Sequence, residues 1–246
     1  MPITFINNNN QGGFSLVNNT GGGQLQFSIA NQNTIVTDNL LLYLDASNAS
    51  SYPGSGNIWY DLQPPANNLT LYNNPVFTSA APSYFTFNGT NQYGGGSGNV
   101  VPSTAYTKCV WFYLNATADN NLVSSDTGGH FMYFAGTSTL YCGHANWPNY
   151  AAFPSSTSFS NGQWYFVVLT FNTTDGMELY VNGTLNNTYT ANKTAHGGNG
   201  STNIACFGLG GNLLNGRIAQ VMTYGKALTS QEVLQNYNSQ KSRFGL

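Results

Sequence analysis

Residues 164–171 read Trp-Tyr-Phe-Val-Val-Leu-Thr-Phe, and this run constrains the fold more than any other stretch of the chain. Side chains alternate across a strand, so Trp164, Phe166 and Val168 share one face while Tyr165, Val167 and Leu169 share the other. Both faces are apolar. Such a strand needs cover on both sides, and a β-sandwich with an additional outer element supplies it. The expected cover is an opposing sheet on one face. On the other it is a loop, a neighbouring subunit, or a helix presenting Val233, Leu234 and Tyr237.

Similar signals recur at sandwich spacing. Residues 40–44, 84–87, 107–114, 131–134, 139–141, 178–181, 204–209 and 217–224 read as strands, and Asn182-Gly183 is a hairpin-turn signal. Composition agrees. Charged residues make up 6% of the chain, against roughly 25% in a typical soluble domain. The polarity comes from Asn, Thr and Ser, with 28 Gly, all poor helix formers. One helix is expected, over about 230–239, where Thr229-Ser230-Gln231-Glu232 forms a capping box.

The same composition excludes several classes. Six basic residues and a net charge of −2 cannot form the cationic footprint that nucleic acid requires. There is no apolar run of about 18 residues, so no transmembrane helix is expected. The 16 Tyr, 15 Phe and 4 Trp exclude general disorder. Cys109, Cys142 and Cys206 are too scattered for a disulfide framework and read as small buried hydrophobes. Met1-Pro2-Ile3-Thr4-Phe5-Ile6 has no basic or apolar signal region, so synthesis in a reducing cytoplasm is expected.

Residues 1–36 form a separate compositional block, rich in Asn, Gln and Gly. Two short alternating runs, carrying Phe14 and Leu16 and then Leu25, Phe27 and Ile29, predict a β-rich arm. Two strands alone are marginal in water, so the arm is expected to anchor on its own domain, a sister subunit or a larger assembly. Residues 37–246 are expected to form the main domain.

That domain resembles the concanavalin A-like, laminin G-like jelly rolls. The resemblance lies in Leu40-Leu41-Leu42-Tyr43-Leu44-Asp45, Phe85-Thr86-Phe87-Asn88-Gly89, Gly162-Gln163-Trp164-Tyr165-Phe166, Leu179-Tyr180-Val181-Asn182-Gly183 and Gly216-Arg217-Ile218-Ala219-Gln220. These blocks occur in the family's order. Their wording, with the ending Arg243-Phe244-Gly245-Leu246, is similar to domains of tailed-bacteriophage structural proteins. The resemblance implies a non-enzymatic virion protein, assembled in the host cytoplasm. Its first implied role is capsid decoration; the alternative is a tail or fibre adhesin for host glycans. Its implied partners are major capsid or tail proteins and further copies of the chain. A secreted carbohydrate-active protein is a further alternative, disfavoured by the missing signal and missing acids.

Candidate sites are few. The family's glucanases carry a Glu-x-Asp-x-Glu strand, but the Glu residues here are Glu178, with no acid two residues on, and Glu232, taken by the helix cap. No catalytic residue is assigned. Asn88, Gln92, Ala219 and Gln220 stand where the family usually has acids, which disfavours calcium, a hard cation that seeks anionic oxygen. Asp45 and Asp61 match the family but suit turn capping equally. No cofactor or metal is expected. The loop around His144, Asn146, Trp147 and Tyr150 sets aromatic faces among amides, the combination a sugar ring needs; alternatively it folds over the sandwich or packs on a neighbour.

Overall fold

The computed structural model describes residues 34–125, 129–144, 151–191, 193–196, 201–208 and 210–246. The arm residues Phe14, Leu16, Leu25, Phe27 and Ile29 lie outside them. The apolar run becomes strand β13 (Trp164–Asn172), in the middle of an eight-stranded antiparallel sheet. β7 (Ala105–Leu114) pairs with one edge of β13 and β14 (Gly176–Val181) with the other. β15 (Thr184–Tyr189) pairs with β14. Beyond β7 lies β17 (Asn215–Tyr224), which pairs also with β1 (Leu40–Asp45) and β5 (Tyr84–Asn88). β4 (Val76–Thr78) pairs with β5 and ends the sheet.

The second layer comprises two smaller sheets. One runs β12 (Ala151–Ser158), β11 (Thr139–His144), β10 (His130–Ala135) and β8 (Asp119–Asn121). The other runs β2 (Ile58–Trp59), β3 (Leu69–Tyr72), β6 (Tyr93–Ser97), β16 (Ser201–Ile204) and β9 (Val123–Ser124). Residues 119–124 pass from one to the other. This is the expected all-β jelly-roll sandwich with one short C-terminal helix.

Each face of β13 has its own core. Tyr165, Val167, Leu169 and Phe171 meet the opposing layer through Met132, Phe134, Leu140 and Phe153. Phe166 and Val168 face outward into a second cluster with Trp111, Met222 and Val233. Helix α1 (Ser230–Gln240) and the 3-10 turn Lys241–Phe244 cover that face. Phe244 stacks on Trp111 at 3.9 Å and 8°, and Tyr237 stacks on the same indole at 5.9 Å. The helix starts at the expected capping box, with Glu232 N–H donating to the Thr229 hydroxyl and Thr229 N–H donating to Glu232. Leu234 does not join the cover as expected; it is 43% exposed. The face turned inward carries Val233 and Asn236 instead, both fully buried.

Asn236 holds the first described residues in place. Its Oδ1 accepts from Val36 N–H at 2.7 Å, and its Nδ2 donates to the Tyr224 hydroxyl, which donates to the Val36 carbonyl. Asp38 pairs with Lys226 at 2.6 Å. The expected domain boundary at 36/37 therefore falls inside a segment tied to the helix. The cysteines are free and buried, as expected. Arg243 closes the C-terminus on Asp45 through both guanidinium nitrogens, at 2.8 and 2.7 Å.

Phe166→Ala removes a fully buried ring between sheet and helix and is expected to cost about 3–5 kcal/mol in urea unfolding. A chain beginning at Thr34 should melt well above one beginning at Asn39, which lacks the Val36 and Asp38 ties; equal melting temperatures would show that the segment does not contribute.

Candidate functional site

The outer face of the four-stranded sheet is built by simple alternation. On β10, Met132 and Phe134 point into the core while Phe131, Tyr133 and Ala135 point out; on β11, Leu140 and Cys142 point in and Tyr141 points out. Tyr133 lies opposite Tyr141 on one side and Asn121 on the other. Phe131 lies opposite Gly143, which is paired with Ala152. Large and small residues thus alternate across the face, and a groove forms between the aromatic rings. Phe207 and Asn212, from the connection between β16 and β17, close its remaining wall, giving a cavity of about 360 Å³. That connection is held by the reciprocal Phe207–Gly211 backbone bridge and by Asn121 N–H donating to the Asn212 carbonyl at 3.0 Å.

Asn121 stands in the wall of the groove. The residue is 1% exposed, and its Oδ1 and Nδ2 are shielded from the cavity and have no hydrogen-bond partner. An unpaired buried amide costs about 1–3 kcal/mol. The surface that the groove presents is mostly apolar, from the rings of Phe131, Tyr133, Tyr141 and Phe207. At the rim the Tyr133 hydroxyl donates to Asp119 at 3.1 Å; burial, then that bond and the nearby carboxylate, raise its pKa above the ordinary phenol value.

All three histidines of the chain gather on the inner side of this sheet. His130 Nδ1 lies 3.3 Å from the fully buried Lys108 ammonium nitrogen, which also donates to the Phe131 carbonyl. His144 Nδ1 lies 2.9 Å from the Tyr106 hydroxyl, and Nε2 lies 2.9 Å from the Thr194 carbonyl. A carbonyl can only accept, so Nε2 carries the proton and Nδ1 accepts from Tyr106. His196 reaches the Pro102 carbonyl, and its ring centroid is 5.3 Å from that of His144. Burial pushes His144 down to about 4 and Lys108 down to about 7; burial, then the Lys108 charge, lowers His130 and His196 too.

Of the loop residues expected to contact a glycan, His144 is therefore placed in the interior, 1% exposed. Asn146, Trp147 and Tyr150 lie outside the described residues. Phe131, Tyr133, Tyr141 and Asn121 were not singled out from the sequence. The one available signal was that 131–134 is aromatic at alternate positions on both faces.

The carboxylates that match the family's calcium positions are engaged by N–H donors. Asp61 accepts from the backbone of Tyr43, Gln63 and Asn67, and Asp45 from Arg243, Gln220 and Ser47. Asn88 Oδ1 caps its own turn through Thr90 and Asn91. This donor-facing set does not fit a calcium ion. Among the described residues, no group of three or more His, Cys, Asp or Glu could hold a metal.

A family model described as the concanavalin A-like lectin/glucanases superfamily matches residues 87–234, more than half of the chain. The chain belongs to this superfamily. No curated protein matches it in sequence. Among solved structures, the binding domain of botulinum neurotoxin DC in complex with SialylT is similar, with a TM-score of 0.66 at 14% identity over 82% of this chain and 52% of that one. A structure of botulinum neurotoxin type C, whose cell entry depends upon interaction with two ganglioside molecules, scores 0.65 at 14% identity, covering 82% of this chain and 51% of the other. The neurotoxin DC domain in complex with rat synaptotagmin II scores 0.65 at 13% identity, with the same coverages of 82% and 51%. The chain thus spans about half the length of these structures, and at such identities the likeness is one of fold. The domain is a lectin-like jelly roll.

The histidine cluster gives a pH dependence with a defined sign. The folded state refuses protons that the unfolded chain accepts below the ordinary imidazole value of 6.5, so stability falls as pH drops from there toward about 4, where folded His144 begins to protonate. Thermal melts between neutral pH and pH ~4 should show a steep, continuous decline. A flat profile would mean that the imidazoles are not held neutral.

Proposed function

We propose that this chain is a non-catalytic carbohydrate-binding domain that seats a sugar ring in the groove between Tyr133, Tyr141, Phe131 and Phe207. The observation that carries this reading is the groove itself, an apolar cavity of about 360 Å³ walled by four aromatic rings. The aromatic rings offer apolar faces for stacking, and Asn212 adds a partly exposed polar residue to the lining. Superfamily membership and the interaction of a structural neighbour, botulinum neurotoxin type C, with two ganglioside molecules support it.

Hydrolysis is not part of the reading. It needs two carboxyl groups facing a scissile bond, about 5–9.5 Å apart, and the groove lining contains none. Glu178 is bound to the Tyr180 hydroxyl on the eight-stranded sheet, and Glu232 is the helix cap. The setting that the resemblance implies is a tailed-phage particle reached through the N-terminal arm. Of the roles it suggests there, the groove favours an adhesin for host glycans over capsid decoration.

Tyr141→Ala and Phe207→Ala should each weaken binding on a glycan panel by about tenfold or more, the effect of losing a stacking face worth about 1.4 kcal/mol. Their near-native thermal melts would separate this loss from unfolding. Full retention of binding in both variants would place the ligand elsewhere.

A further inference from the structure

The distribution of charge around the groove narrows the class of sugar it takes. All six basic residues belong to the described part of the chain, and none lines the groove. Lys108 is buried on the inner side of the sheet, 3.0 Å from the Phe131 carbonyl. Arg217 lies over the rings of Tyr84 and Tyr113 on the eight-stranded sheet. Lys226 pairs with Asp38 and Glu232, Arg243 with Asp45, and Lys241 lies over Tyr237. Lys193 is exposed and outside the groove lining.

The charge that does stand at the groove is negative. Asp119 is exposed, lies opposite Ala135 of the groove floor and accepts from the Tyr133 hydroxyl. The Tyr133 hydroxyl is thus already committed to a carboxylate, and an acidic sugar docked on that ring would meet a like charge with no cation in the groove lining to offset it. Asn212, partly exposed in the lining, carries a neutral amide, which suits hydroxyl groups.

We propose, building on the glycan-binding reading above, that the groove recognises neutral pyranose sugars and rejects acidic ones, with Asp119 as the discriminating residue. Asp119 acts by repulsion, a means of specificity separate from the attractive contacts of the aromatic rings. It lies at a solvent-exposed rim, so its effect is moderate and salt-dependent.

The test compares matched probes, lactose with 3′-sialyllactose and galactose with galacturonate, by titration against the full chain. The neutral member of each pair should bind about fivefold tighter at low salt, the factor expected for two unit charges a few ångströms apart in water. The gap should narrow in ~1 M NaCl, where the Debye length is about 3 Å. Asp119→Asn keeps an acceptor for Tyr133 and should bring the ratio within each pair close to unity. Equal or tighter binding of the acidic members by the native chain overturns the proposal, as does an unchanged ratio in Asp119→Asn; the glycan reading survives either result. Binding to no member of either pair and to nothing on the glycan panel overturns the glycan reading, and the specificity with it.

Discussion

The fold depends on a sheet that is apolar on both sides. β7, β13 and β17 lie side by side, and each contributes buried residues to the inner core and to the outer cluster. A sheet of that kind cannot face water, and the chain covers its outer side with very little material, one helix, a 3-10 turn and residues 34–38. Trp111 is the centre of that cover, with Phe166, Tyr237 and Phe244 packed around its indole. Because the large sheet is closed off in this way, the small four-stranded sheet of the other layer is left with an open outer face, and the groove forms there.

With so few charges, neutral side chains carry tasks that ion pairs share in most proteins. Asn236 joins the N-terminal segment to the helix and β17, and Asn88 and Asn172 cap turns through their own carbonyl oxygens. Asp45 is the main exception. Burial alone would raise its pKa, but Arg243 and the backbone of Ser47 outweigh that and hold it below the ordinary carboxylate range. Loss of Arg243 would leave a nearly buried carboxylate without its counter-charge, which is why a single ion pair can matter here when surface pairs seldom do.

Much of the architecture was legible in the sequence, because alternation and a capping box are local signals. β1, β5, β7, β13 and β17, and helix α1, lie within one or two residues of expectation. Glycine hid β6, which reads Tyr-Gly-Gly-Gly-Ser; it is a strand because its neighbours need the space. A Cβ at Gly94 would come 2.6 Å from Ile204 Cγ1. The strand expected over 204–209 instead ends at Ile204, because Ala205 turns to a φ of 61° and Phe207 bridges to Gly211. That turn is what delivers Phe207 to the groove. The groove itself was illegible for a physical reason: Phe131 and Tyr133 alternate with Met132 and Phe134, and hydrophobicity alone does not say which side faces the core. Asn121, in the run Asp119-Asn120-Asn121, has the composition of a turn, and only the pairing of β8 with β10 reveals it as a wall residue.

The side chains of β15 bear on how copies of this domain can meet. β12 is the edge of its sheet, and Pro154 removes one of its N–H groups. Asn186 accepts from Ser156 N–H at 2.8 Å and Asn187 donates to the Pro154 carbonyl at 2.7 Å, while Asn186 also donates to the Thr157 hydroxyl. These amides take the place of a neighbouring strand's backbone and tie the edges of the two layers together. An open edge is a template for adding another chain; here the template is already filled from within. Growth of a continuous sheet from one copy to the next is blocked along this seam, so two copies that met here would meet through side chains instead of fusing into one sheet.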